Sequence, residues 1–147
     1  MVYNLLVHIH SVIRWILLIS IVLALINAIL KLAKHKKATC DDCIFNRLTM
    51  VFAHIQLVAG TILYFISPKV IFAAGSMKDS VLRFFLLEHI LLMILSIVLI
   101  TIGYIKADRS QDERKTFRYI LIYFGIAFVL MLLSILLSWG QLRGNHR

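Results

Sequence analysis

Four long apolar runs, separated by short polar stretches, make up most of this 147-residue chain. They cover approximately residues 3–30, 44–66, 81–105 and 117–139. Each is long enough to cross a bilayer, since a spanning helix needs about 20 mostly apolar residues. In hydrocarbon every backbone donor and acceptor must be satisfied within the structure, so runs of this length are helices and not barrel strands. Linkers of roughly 10–15 residues join the runs and predict an up-down-up-down four-helix bundle. The expected fold is thus an all-α transmembrane bundle forming a single domain over residues 1–147. Pro68 lies just past the second run, where it stops a helix. Asp79 and Ser80 are candidate N-caps for the third. Ala24, Ala28, Ala53, Gly60, Gly103, Gly125 and Ala127 are small enough to let helices approach closely, though no strict GxxxG motif is present.

Composition agrees with this pattern. Hydrophobic residues are 61% of the chain, charged residues 16%, and there is one proline. A soluble domain carries about 45–50% apolar and about 25% charged residues, so neither a water-soluble globule nor a disordered segment is expected. The formal charge of +9 invites a nucleic-acid reading, which the placement of the charges opposes. Ten basic residues cluster at the junctions of runs 1–2 and 3–4: Lys31, Lys34, Lys36, Lys37, Arg47, Lys106, Arg109, Arg114, Lys115 and Arg118. Five fall on the other side, namely Lys69, Lys78, Arg83, Arg143 and Arg147, and Arg14 is inside the first run. Lysine and arginine excess marks cytoplasmic loops. Both termini and the loop 67–80 are therefore expected on the outer side, with the two basic junctions in the cytoplasm. The bilayer, with its anionic headgroups, is then the main partner of the charge, and nucleic acid is not. The first run lacks a basic leader and a small-residue cleavage site and is expected to stay in the mature chain.

Ionisable residues inside membrane spans are costly and usually face the bundle interior or a water-filled cavity. His8, His10, Arg14, His54, Glu88 and His89 are the candidates; His35 and His146 fall in solvated positions. At about 1.5 Å rise per residue, His10 lies about 10 Å and His89 about 12 Å below the outer surface. They are nearly level, on the first and third helices. If the helices follow one another around a square, these two are diagonal, roughly 11–14 Å apart. Two imidazoles reaching a metal from opposite sides, with bonds near 2 Å, span about 13 Å between backbones. An iron porphyrin between His10 and His89 fits that gap.

The periodicity gives both histidines an inward face. His10, Arg14, Leu17, Ile21, Ala24 and Ala28 form one helical stripe, and Phe85, His89, Met93, Ser96 and Gly103 another. His8 points away from His10 and reads as interfacial. His54 lies deeper, about 20 Å from the outer surface, as an alternative ligand, a proton relay or a helix–helix contact. Arg14 has two candidate partners, Glu88 or a haem propionate, which guanidinium meets bidentately. Arg83, near the outer edge, is a second propionate partner, and Glu88 joins His54 in handling protons or a quinone headgroup. Phe85 and Phe128 are candidate ring contacts. Cys40-Asp41-Asp42-Cys43 is a CxxC in an expected cytoplasmic loop, where thiols stay reduced. One CxxC supplies half of a tetrahedral zinc site, so two free thiols, or a half-site shared across a homodimer, are the readings.

Four segments carry a family resemblance: His10-Ser11-Val12-Ile13-Arg14-Trp15, Ala53-His54-Ile55-Gln56-Leu57, Leu63-Tyr64-Phe65-Ile66-Ser67-Pro68 and Arg83-Phe84-Phe85-Leu86-Leu87-Glu88-His89. Together they resemble short four-span bacterial membrane proteins labelled cytochrome b. More loosely, the layout is similar to the cytochrome b561-type four-helix electron carriers. The resemblance implies a haem-binding bundle with His10, His54 and His89 as its functional histidines. The b561-type carriers hold two haems between four histidines, whereas here the fourth span has none. The expectation is a b-type cytochrome with one haem b, or two, exchanging electrons with quinol or with other respiratory subunits. Two alternatives stand beside it: an accessory subunit of a larger membrane complex, and a copper-handling protein using methionine thioethers as soft ligands.

Overall fold

The computed structural model describes residues 1–144, so His146 and Arg147 lie outside the described residues. Four long helices account for nearly all of it: α1 (Val2–Ala33), α2 (Cys40–Ile66), α3 (Ser80–Asp108) and α4 (Glu113–Gly144). A short 3-10 turn, Ala74–Met77, lies in the α2–α3 connection, and among the described residues there is no strand. All four helices are long and apolar enough, by length and composition, to cross a membrane. The packed pairs are α1–α2, α2–α3, α3–α4 and α4–α1. That is the sequential square, with α1 and α3 on one diagonal.

The helices run past the apolar runs because their polar ends have partners. At the start of α2, Asp42 accepts from the Thr39 amide at 2.6 Å, the Thr39 hydroxyl at 2.9 Å and Asn27 Nδ2 at 2.6 Å. Lys31 Nζ lies 3.0 Å from the same carboxylate. One buried acid thus caps α2 and ties it to α1. The Cys40–Cys43 segment is consequently the first turn of α2 and not loop, because that cap starts the helix before the thiols; Cys43 is an exposed free thiol. At the end of α1, His35 takes a left-handed φ of 49° while the Lys36 amide donates back to Lys31 O at 3.1 Å. These are the features of a Schellman stop, with histidine where glycine is usual. Asp79 caps α3, its Oδ1 accepting from the amides of Val81 and Leu82 at 2.9 and 3.0 Å.

The inner stripe of α1 is buried as its periodicity predicts, through Leu17, Ile21, Ala24 and Ala28. It meets Ala53 of α2, Ile97 and Ile100 of α3, and Ile120, Phe124 and Ala127 of α4. Gly103 sets the α3–α4 spacing: a Cβ there would stand 2.5 Å from Tyr123 Cβ. Outward-facing positions such as Leu5, Val12, Val58, Val129 and Leu136 are exposed and apolar. Bundles in water do the reverse, covering their outer faces with charged side chains.

One local feature breaks the regularity. The third helix begins as an α turn (Ser80–Arg83), widens to a π turn over Phe84–Glu88, and returns to α geometry at His89. No sequence periodicity announced it.

Candidate functional site: a histidine-lined cavity between diagonal helices

A cavity of about 280 Å³ lies within the half of the bundle that carries the α2–α3 connection. His10 of α1 and His89 of α3 both line it, together with Arg14, Gln56, Gly60 and Ser134. Each helix thus contributes a polar side chain to a mostly apolar chamber.

Each imidazole is held by one nitrogen. His89 Nδ1 is 2.8 Å from Ser134 Oγ, a fully buried hydroxyl on α4. With its proton on Nδ1, the ring donates to Ser134 and keeps the Nε2 lone pair. His10 Nε2 is 3.2 Å from Gln56 Nε2, the buried amide of α2. The amide oxygen and nitrogen are interchangeable in shape, so Gln56 serves either tautomer: its N–H donates to Nε2, or its oxygen accepts from Nε2–H. His10 Nδ1, Gln56 Oε1 and Arg14 Nε are buried without partners. Buried polar groups normally have one, and three such atoms around one cavity is a concentration of unmet demand. Gly60 makes room for the His10 ring, since a Cβ there would lie 3.3 Å from Cε1.

The remaining expected residues divide. Arg14 reaches the cavity, donates from Nη2 to Ser11 Oγ at 3.1 Å and lies 5.7 Å from the Trp15 ring centroid. Among the described residues no carboxylate pairs with it, and the Arg14–Glu88 ion pair does not form. Glu88 is engaged by Arg83 instead, with Nε 3.0 Å from Oε1 in a part-exposed pair. Arg83 therefore already has an anionic partner. His54 stands on the exposed side of α2, its Nδ1 donating to Met50 O of its own helix at 2.8 Å. It is not brought to the cavity with His10 and His89, because the buried face of α2 is Thr49, Ala53 and Gln56. On a 3.6-residue helix, position 54 lies beside that stripe and not within it. His8 is exposed, as its spacing from His10 predicts.

Sequence reasoning assigned no role to Gln56 or Ser134. Each is a lone polar residue in an apolar run on an inward stripe, and that is the signal that could have found them. Phe84 was missed as well. It is buried, its ring 5.9 Å from that of His89, and it packs at 5.2 Å against Phe85, which lies 6.1 Å from His89 on the same side.

No known family model, curated protein or solved structure matches this chain. The site is therefore read from its own residues. Its donor set suits a haem: two imidazoles from diagonal helices, each tethered through its other nitrogen, and a guanidinium free for a carboxylate. Tethering of that kind orients metal-ligating histidines. At about 280 Å³ the chamber is near the lower edge of the ~300–1,000 Å³ typical of ligand pockets. A whole macrocycle is larger than this chamber, so binding one requires lining side chains to move.

Proposed function

We propose that the chain is a membrane-embedded b-type cytochrome that holds haem through His10 and His89 and passes single electrons, with quinol as a partner in the bilayer. The observation that carries this reading is the pair of tethered imidazoles facing one chamber from opposite corners of the bundle. The charge distribution supports placing both termini and the cavity end on the outer side of a bacterial inner membrane.

Haem supplies reversible one-electron chemistry at its iron, tuned by axial ligands, burial and nearby charge. The chain's own residues do the rest. Ser134 and Gln56 fix the two rings, which lowers the reorganisation needed when a ligand binds. Arg14 offers an unpaired cation to a carboxylate in a site of low dielectric, where a charge-assisted bond is strong. Leu17, Leu18 and Ile97 give the chamber a buried apolar wall.

A second reading has one observation in its favour. Met93 and Met131 line the same chamber as the two histidines, and imidazole with thioether suits copper. A bare ion would leave most of that space empty, and among the described residues no group of three or more His, Cys, Asp or Glu side chains is placed to hold one.

The test is a reduced-minus-oxidised spectrum of protein purified after expression with ample haem, backed by metal analysis. Low-spin b-type bands are expected in the unaltered chain and are lost in His10→Ala and His89→Ala. They persist in His54→Ala, whose ring faces outward. A colourless, stable protein would refute the proposal and favour an accessory subunit; copper without haem would favour the second reading.

A further inference from the structure

The π turn of α3 sits immediately before His89, and its backbone is held from another helix. Its widened ring closes with the His89 amide donating to Phe84 O, five residues back. Such turns are rare and occur mostly as single-turn bulges inside α-helices. Here a side chain of α2 supports it: Tyr64 Oη donates to Leu86 O, in the middle of the turn, at 2.9 Å. Tyr64 is part-buried and lines the chamber that His89 lines.

We infer that Tyr64 is a positioning residue for His89, its hydroxyl clasping the π turn that directs the imidazole into the chamber. The added residue in a π turn offsets the helix before it from the helix after it by about 100°, one residue's rotation. That offset brings the touching rings of Phe84 and Phe85, 5.2 Å apart, together beside His89 at 5.9 and 6.1 Å. In a regular α-helix the residue five back lies about 140° around the axis and could not share that role. Further along α3, buried Ser96, Ile97 and Ile100 and the tight Gly103 contact fix the phase of the helix. Any relaxation of the π turn therefore falls on Phe84–His89 and turns the ring away from Ser134.

The inference takes its importance from the ligand role proposed for His89, but its test does not depend on haem. Tyr64→Phe removes one oxygen and keeps the ring. In the ligand-free protein, amides of residues 84–90 should exchange with solvent roughly fivefold faster, the equivalent of one neutral hydrogen bond. The ¹⁵N resonance of His89 Nδ1 should shift as the ring leaves Ser134. With haem added, a high-spin component should appear in the spectrum. Tyr104→Phe, whose hydroxyl meets Arg47 at the other end of the bundle, should change none of these. Unchanged exchange, acceleration spread over the whole bundle, or faster exchange with an unmoved His89 resonance would each overturn the inference. If the unaltered chain binds no haem, the cytochrome reading fails while the exchange and resonance results still decide the clasp.

Discussion

Ser134→Ala isolates the support that α4 gives to the site. The hydroxyl is fully buried and 2.8 Å from His89 Nδ1, and alanine removes one oxygen without opening a sizeable cavity. Ligation through Nε2 requires the proton on Nδ1. Without Ser134 that N–H loses its acceptor, at a cost of about 1–3 kcal/mol. Partners behind metal-bound histidines typically contribute 10–100-fold in affinity, which agrees with that figure at about 1.4 kcal/mol per factor of ten. In the ligand-free protein the ring can move its proton to Nε2 and turn, so stability should fall by less than the affinity does. Titrating haem into detergent-solubilised protein and following the Soret band gives the dissociation constant, and thermal unfolding of the ligand-free form gives the comparison. Haem affinity should drop 10–100-fold with a smaller change in stability. An alanine variant that binds haem within twofold of the unaltered chain, with the same spectrum, would refute the claim that Ser134 orients His89.

Two further predictions concern other parts of the bundle. Gly103→Ala places a methyl group 2.5 Å from Tyr123 Cβ, inside van der Waals contact. The α3–α4 pair must part, at a cost of about 1–3 kcal/mol as for other overpacked cores; a denaturation midpoint equal to that of the unaltered chain would show that the contact is slack. Arg14→Gln tests the unpaired cation. The unaltered chain should bind haem at least about tenfold more tightly than haem dimethyl ester, whose carboxylates are masked, because bonds to charged groups contribute about 1.5–3 kcal/mol. The glutamine variant should bind the two almost equally. Equal affinities before mutation would remove the carboxylate contact from the proposal.

Much of the bundle could be read along the chain. Apolar runs set the number of long helices, and the 3.6-residue repeat identified the buried face of α1 from Leu17 to Ala28. Estimated depth singled out His10 and His89 as level partners, and both line one chamber. His54 shows where such reading stops. Its residue type kept it as an alternative ligand despite its greater depth, but facing is set by rotation about the helix axis, and Gln56 lies on the inward stripe instead. Glu88 shows a related limit, since the sequence offered Arg14 as its partner and reserved Arg83 for a propionate. Only the side-chain geometry gives it to Arg83, leaving Arg14 unpaired.

The sequence by itself determined the helical class, the number of long helices and the apolar stretch within each. Those follow from local rules: backbone satisfaction in apolar surroundings, helical period and short connections. Tertiary structure decided the details of the site. Whether α3 widens at Phe84–Glu88 depends on a backbone carbonyl meeting a hydroxyl from another helix. Which nitrogen each histidine offers depends on Ser134 and Gln56, 45 and 46 residues away along the chain. Such contacts form only once the helices have packed in a particular rotation, and a residue's own neighbours in sequence carry no record of that rotation.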